Sequence, residues 1–336
     1  QPLFARLGRK CELTVFGQHI VQRARILVDE AKELQQTSLQ LKKGEIGQFR
    51  IGMGSGPGAM LMTPLLMLMA TEHPQAHIDI SRGSTTLLVQ ALREEGVDLS
   101  LAPPTSAPTT LSLVGLDAAG LPSYAFYGDG CADRALGASI LEQWPDDVDA
   151  IHLGSYAAVV GETAQTLRRL VEREQHRSLI AYDPNVRLNV QPDLQVWREQ
   201  LQWMLPRAHV LKVSEEDLGL LYPGQPWEPW ARQAAQAGVG LVVVTRGEQG
   251  AYARCGAVSA QVPPHAVQVV DTVGAGDTFQ AALLTWLAEH GCLSGAGLAR
   301  LDPAGLQQLL AFAARAAAVT CGRRGADLPR RDELRP

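Results

Sequence analysis

Between Val15 and Lys43 the apolar positions Ile20, Leu27, Leu34 and Leu41 recur by sevens, with Ala24, Ala31 and Ser38 on the alternate seam. No proline interrupts the run and Gly17 is its one glycine, so the spacing predicts a single heptad helix. Small residues on one seam admit a second helix closely, which makes this a dimerisation-type helix; an amphipathic helix lying on its own domain is the alternative. From residue 48 the period changes. Apolar runs at 49–53, 77–81 and 98–102 alternate with helix-length segments at 58–72 and 84–95, the pattern of a small βαβαβ unit.

"APPTSAPTT" at 102–110 then has the composition of a linker. Beyond it, "TTLSLVGLD" and "YAFYG" alternate as two strands joined by a Gly-Leu-Pro turn. Apolar strands at 149–153, 178–182, 209–213 and 240–244 are separated by helix-length segments, which predicts a mainly parallel sheet covered on both faces, an α/β fold. The last clear feature, "VVDTVGAGDTFQAALLTWL" at 269–287, reads as a strand that turns through glycines into a helix. The pattern divides the chain into 1–45, 46–103 and 108–336.

With 336 residues and 46% hydrophobic content, more than one domain can bury a core. The five cysteines are odd in number, scattered and without a CxxC pair, so neither a disulfide framework nor a structural zinc site is expected and a reducing cytoplasm fits. No run of 18 apolar residues is present to span a bilayer. Residues 1–43 carry +4 while the whole chain carries −5, leaving −9 for the rest. A basic start can meet nucleic acid, but a solvated basic helix face is the commoner cause.

Two glycine turns carry candidate chemistry. Gly54-x-Gly56-x-x-Ala59 follows a strand and imitates a dinucleotide fingerprint, yet Pro57 stiffens the turn and Asp79 sits inside its strand, where a ribose-binding acid belongs at the end. The second turn is better built. Gly274 and Gly276 let backbone N–H groups converge at the positive end of a helix, a place that receives an anion. Asp277 beside such a hole makes sense as a base that takes a hydroxyl proton while the hole stabilises a transferring phosphoryl group. Taken alone, "GAGD" fits equally a helix-start Asp favoured by the dipole. There is no P-loop Gly-Lys-Ser/Thr and no protein-kinase catalytic loop. His152, inside an apolar strand, reads as a core histidine, and Trp197, Trp203, Trp227, Trp230 and Trp286 read as packing.

"VDTVGAGDTFQAALL" resembles the signature of the ribokinase-like, or PfkB, carbohydrate kinases. "DPNVR" at 183–187, "KVSEEDLGLLYPG" at 212–224, "VVVTRGEQGAYA" at 242–253 and "CGRRGADLP" at 321–329 concur, and the fructokinase branch is the nearest in pattern. The resemblance spans 108 to about 333 and implies a ribokinase-like fold, ATP and Mg2+ as cofactors, and a sugar acceptor, fructose first. Carried over by position, it implies Asp277 as general base with Gly274, Ala275 and Gly276 as anion hole. It implies Thr245, Gly247 and Gly250 along the nucleotide phosphates, with Asn185 and Arg187 as contacts to phosphate or sugar. Ser214 and Asp217 stand where the family has Asn-x-x-Glu, which organises magnesium, usually through water; Ser214 also borders the nucleotide. Asp271 and Thr272 fall where relatives bind a monovalent cation, and Ala314 where many have Asn near the adenine.

Residues 1 to about 103 resemble LysR-type transcriptional regulators: "PLFARLGRKCELTVFGQHIVQRARILV" is similar to their wing and linker helix, and the βαβαβ stretch to the opening of their effector domain. That resemblance implies a homodimer through 15–43. It lacks the recognition helix, so sequence-specific DNA binding is not expected. On this reading the kinase domain lacks its N-terminal sugar-binding portion. The alternatives are a truncated regulator whose lobe binds a small ligand or dimerises, and a non-catalytic nucleotide-binding remnant.

Overall fold

The computed structural model describes strands at 4–7, 10–13, 48–53 and 77–82, then residues 96–116, 122–323 and 325–334, with side-chain surroundings given for 96–110 and, within those ranges, from 128 onward. The heptad segment 15–43, the helices expected at 58–72 and 84–95, and the Gly54–Ala59 turn lie outside the described residues. The chain forms two compact units, 1–99 and 100–336.

In the first unit, β1 (Phe4–Leu7) and β2 (Lys10–Leu13) pair antiparallel. β3 (Gln48–Met53) and β4 (His77–Arg82) pair parallel, as the apolar runs predict. The third strand expected at 98–102 is absent: the chain leaves a turn at Gly96, whose φ is +82°, and runs irregularly through 97–102. Val97 is 43% exposed, and the Pro103-Pro104 pair that follows has no N–H to offer a neighbour.

In the second unit, β5 (Leu111–Leu116) and β6 (Pro122–Tyr127) form the expected antiparallel pair. The main sheet has six strands in the order β12-β11-β10-β9-β8-β7. β7 (Ala150–Gly154), β8 (Leu179–Asp183), β9 (Val210–Ser214) and β10 (Leu241–Thr245) are parallel, while β11 (Ala251–Cys255) and β12 (Val258–Val262) add an antiparallel margin. Each parallel strand sits one residue later than its apolar run predicts.

Period-two alternation sends successive side chains into two cores. Ile151, Ile180, Tyr182, Leu211, Val213, Val242 and Val244 pack with α1 (Gly161–Glu174), α2 (Leu194–Met204), α3 (Glu215–Leu221) and α4 (Trp227–Gln236). Leu179, Ala181, Val210, Leu241 and Val243 pack with α5 (Ala275–Glu289), α6 (Gly295–Leu298) and α7 (Pro303–Cys321). Burial on both faces explains why β8, β9 and β10 read as unbroken apolar runs. Trp197, Trp230 and Trp286 are buried in these cores, whereas Trp203 and Trp227 are partly buried beneath Arg207 and Arg246 guanidiniums. None of the four described cysteines is in a disulfide. Among the described residues, no helix is long and apolar enough to cross a membrane.

The strand expected before the glycine turn is not formed. Residues 263–270 are irregular and exposed, with Val269 and Val270 each 58% open. The N–H groups of Val270 and Asp271 both donate to the Cys321 carbonyl, which leaves no ladder for a sheet partner.

Candidate active site

The carboxyl ends of β7, β8 and β9 meet the start of α5, the position at which open α/β sheets collect ligands. Helices α2, α3 and α7 are each capped by their own side chain: Asp193 accepts from Gln195 N–H, Ser214 from Asp217 N–H and Asp302 from Gly305 N–H. The start of α5 has no such side chain. Gly274 occupies its cap position in the left-handed region at φ +79°, and a Cβ there would lie 2.8 Å from that of Ala326. The first-turn N–H groups are therefore free of side-chain caps, although Ala275 N–H donates to Thr272 O at 3.2 Å, and Asp277 is exposed in the same turn. Thr278 fixes the turn from below, its hydroxyl donating to Gly274 O at 2.9 Å and lying 2.9 Å from Thr320 Oγ1.

Beneath α5 is a buried ion pair. Lys212 Nζ lies 2.7 Å from Asp183 Oδ2, and the two side chains are 5% and 4% exposed. A Cβ at Gly276 would stand 3.2 Å from the same Nζ. Asp183 Oδ1, and both polar atoms of Gln280 in α5, are buried without a hydrogen-bond partner among the described residues. His152 corrects its expected place: it projects from β7, the end strand of the sheet, and is exposed, not packed in the core. Desolvation lowers its pKa, opposed by the charges of Asp183 and Asp277 and assisted by that of Lys212.

Two further clusters line the same edge. Asp217, buried in α3, accepts from Val186 N–H at 3.1 Å, while Ser214 caps its helix at 2.9 Å. Burial raises the Asp217 pKa first, the Asp183 charge second, and the bonds from Ser214 and Val186 oppose. The Val186 bond fixes the 183–187 loop, where Asn185 holds φ +41° and its carbonyl accepts from Ser155 Oγ at 3.0 Å. Arg187 is half-buried and donates to Val186 O. Thr245 pairs in register with Ser214, and Gly247 and Gly250 turn the chain beyond it with φ of +51° and +83°. Asp271 closes the far side: Oδ1 accepts from Val273 N–H and Oδ2 from Gly325 N–H, tying the glycine turn to the loop after α7.

The sheet edge thus gathers Ser214, Thr245, Asp217 and the Asn185 loop, and Asp271 anchors the Gly274–Asp277 turn. The residues that sequence reasoning missed are Asp183 and Lys212. The available signal was a lysine inside the apolar "HVLKVS" strand beside a strand ending in Asp. An uncapped, glycine-built helix start suits the phosphates of a nucleotide. Asp217 already spends a carboxylate oxygen on the Val186 N–H, which suits contact with a magnesium ion through water. Among the described residues no three His, Cys, Asp or Glu side chains cluster as a metal cage.

Comparison with known proteins agrees. Residues 84–333 match the pfkB family of carbohydrate kinases. A fructokinase of Rhizobium leguminosarum bv. trifolii is 32% identical over 221 residues, covering 66% of this chain and 68% of the relative. Probable fructokinase-5 of Arabidopsis thaliana is 30% identical over 246 residues, 71% and 74% of the two chains. Among solved structures, the fructokinase of Vibrio cholerae O395, bound to fructose, ADP and a calcium ion, superposes with a TM-score of 0.62 at 24% identity, covering 85% of this chain and 83% of that one. Aminoimidazole riboside kinase of Salmonella enterica superposes at 0.59 with 20% identity, covering 74% and 80%. The LysR-type resemblance is not borne out: the kinase match begins at residue 84, inside the stretch assigned to the regulator lobe.

Proposed function

The chain belongs to the pfkB family of carbohydrate kinases and is a fructokinase-like sugar kinase; from that premise we propose that it transfers the γ-phosphoryl group of ATP to a primary hydroxyl of fructose, with Asp277 as base. The observation that carries the reading is the start of α5, where uncapped N–H groups and an exposed carboxylate share one turn above a buried ammonium.

Asp277 takes the proton of the sugar hydroxyl as its oxygen bonds to phosphorus and the bond to the bridging oxygen of ADP breaks. The N–H groups around Gly274, Ala275 and Gly276 hold the charge that builds on the transferring group. Thr245, Gly247 and Gly250 line the remaining phosphates, and Asn185 and Arg187 orient phosphate or sugar, Arg187 through its fork of donors. Mg2+, organised through water by Ser214 and Asp217, would neutralise the phosphates, and a monovalent cation would sit by Asp271 and Thr272. We assign the kinase domain to 108–336, a homodimer to the heptad segment 15–43, and the cytoplasm as location.

The test is a coupled ADP-release assay with fructose, glucose and ribose, alongside melting in Mg-ATP. Fructose-dependent ADP release and a raised melting temperature are expected. A folded sample with neither, at millimolar ATP, would sink the kinase reading.

A further inference from the structure

We propose that Lys212 is a positioning residue of the phosphoryl-transfer site: its ammonium, held by Asp183, backs the first turn of α5 and places fixed positive charge behind the anion hole of Gly274, Ala275 and Gly276. The inference rests on the kinase reading above and extends it to a residue outside the anion-binding turn.

A lysine between Leu211 and Val213 in a fully covered strand is costly to desolvate, and a buried ion pair is weak ground for stability by itself. Two features show what this pair is arranged around. Asp183 gives Lys212 one oxygen at 2.7 Å while its other oxygen, Oδ1, has no partner among the described residues, so the carboxylate is not satisfied as a purely structural anchor would be. Second, Nζ stands 3.2 Å from where a Cβ at Gly276 would lie, so the ammonium lies against the backbone of the turn and leaves no comfortable room for a side chain.

The charged and titratable groups around the pair are Asp217 from α3, His152 from β7 and Asp277 from α5; Asp183 and Lys212 both act on Asp217, and they act with Asp277 on His152. Lys212 is the cation in this set. A charge fixed in a dry position acts on a developing anion without reorganising during the reaction, which is the condition under which such a group accelerates transfer.

The central variant is K212M/D183N, which removes both charges together and avoids a bare buried carboxylate. It should fold, with a melting temperature within about 5 °C of wild type. Its kcat for fructose should fall about 10- to 100-fold with KM within about twofold, the split expected of a group that acts on the transition state. Its Kd for ADP with aluminium fluoride and Mg2+, measured by calorimetry, should rise about tenfold. K212R, which keeps the charge, should recover part of the lost kcat. Because the methionine side chain is one atom shorter and carries no ammonium, G276A should cost less in the K212M/D183N background than in wild type, a non-additivity a distant structural pair would not show. If K212M/D183N fails to fold, K212Q/D183N serves the same comparison. Full kcat in a folded neutral pair, or a K212R variant no better than that pair at equal melting temperature, overturns the proposal while leaving the kinase reading intact. A wild type that neither phosphorylates fructose nor binds ADP with aluminium fluoride removes the kinase reading, and the role of Lys212 falls with it.

Discussion

The same four parallel strands end very differently at their two edges. At the amino edge, polar groups find protein partners: Ser178 Oγ donates to Val148 O at 2.7 Å, Ile180 N–H to His209 Nδ1 at 2.9 Å and Leu241 N–H to His209 O at 2.8 Å. At the carboxyl edge, Ser155 and Asn185 hold positive φ of 52° and 41°, and a Cβ on Gly154 would lie 2.4 Å from Asp183 O. Asp183 Oδ1 has no partner there among the described residues. The cores beneath are continuous from one edge to the other, so the difference does not come from poor packing. Among the described residues, the two non-glycine positions with positive φ both fall at this one rim, as expected where a scaffold is held in shape for chemistry.

Substitutions at the two rims should therefore behave as different classes. The largest effect falls on Asp277→Asn, which keeps the shape and removes the proton acceptor: kcat should drop about 10²–10⁴-fold in the ADP-release assay with Mg-ATP affinity nearly unchanged. Full turnover would make Asp277 a helix-start residue only. Next, Gly154→Ala should cost about 1–3 kcal/mol in urea unfolding, since the new methyl meets the Asp183 carbonyl. An unchanged midpoint would show that the rim relaxes freely. Asn185→Gly tests whether the strained loop serves binding. Relief of its φ should leave the melting temperature within about 2 °C, while loss of the side chain raises KM for fructose about tenfold; a lower KM would reverse that assignment.

The smallest effect belongs to the amino rim. Burial, and then His176, holds the His209 pKa below the usual 6.5, so the unfolded chain binds its proton more readily. Stability from this group is present above that value and lost as pH falls below it. Between pH 7 and 5 the wild type should lose about 1–3 °C more in melting temperature than His209→Gln. Equal losses would show that His209 titrates alike in both states.

Much of this contrast was legible in the chain. The unbroken apolar runs located β8 to β10 within one residue, because strands buried on both faces leave no alternation to misread. The glycines of "GAGD" marked the helix start correctly for a backbone reason, since Gly274 needs a left-handed φ. The strand expected before the glycine turn failed because the N–H groups of Val270 and Asp271 are taken by the carbonyl of Cys321, far along the chain, a contact no local pattern encodes. His152 was misplaced for a related reason: an apolar strand implies two covered faces, whereas β7 ends its sheet. The Lys212–Asp183 pair depended on strand order, which placed β8 beside β9.

That pair also limits how the chain can drift. Neutralising either member alone leaves a bare charge in the interior, a loss of about 3–5 kcal/mol and a large share of the stability of an ordinary domain. Any side chain at position 276 meets the ammonium at 3.2 Å. Three positions on β8, β9 and α5 are thus bound into one heritable unit: a lineage that loses the ammonium must pass through a poorly folded intermediate or change two codons at once, and a substitution at Gly276 becomes tolerable only afterwards.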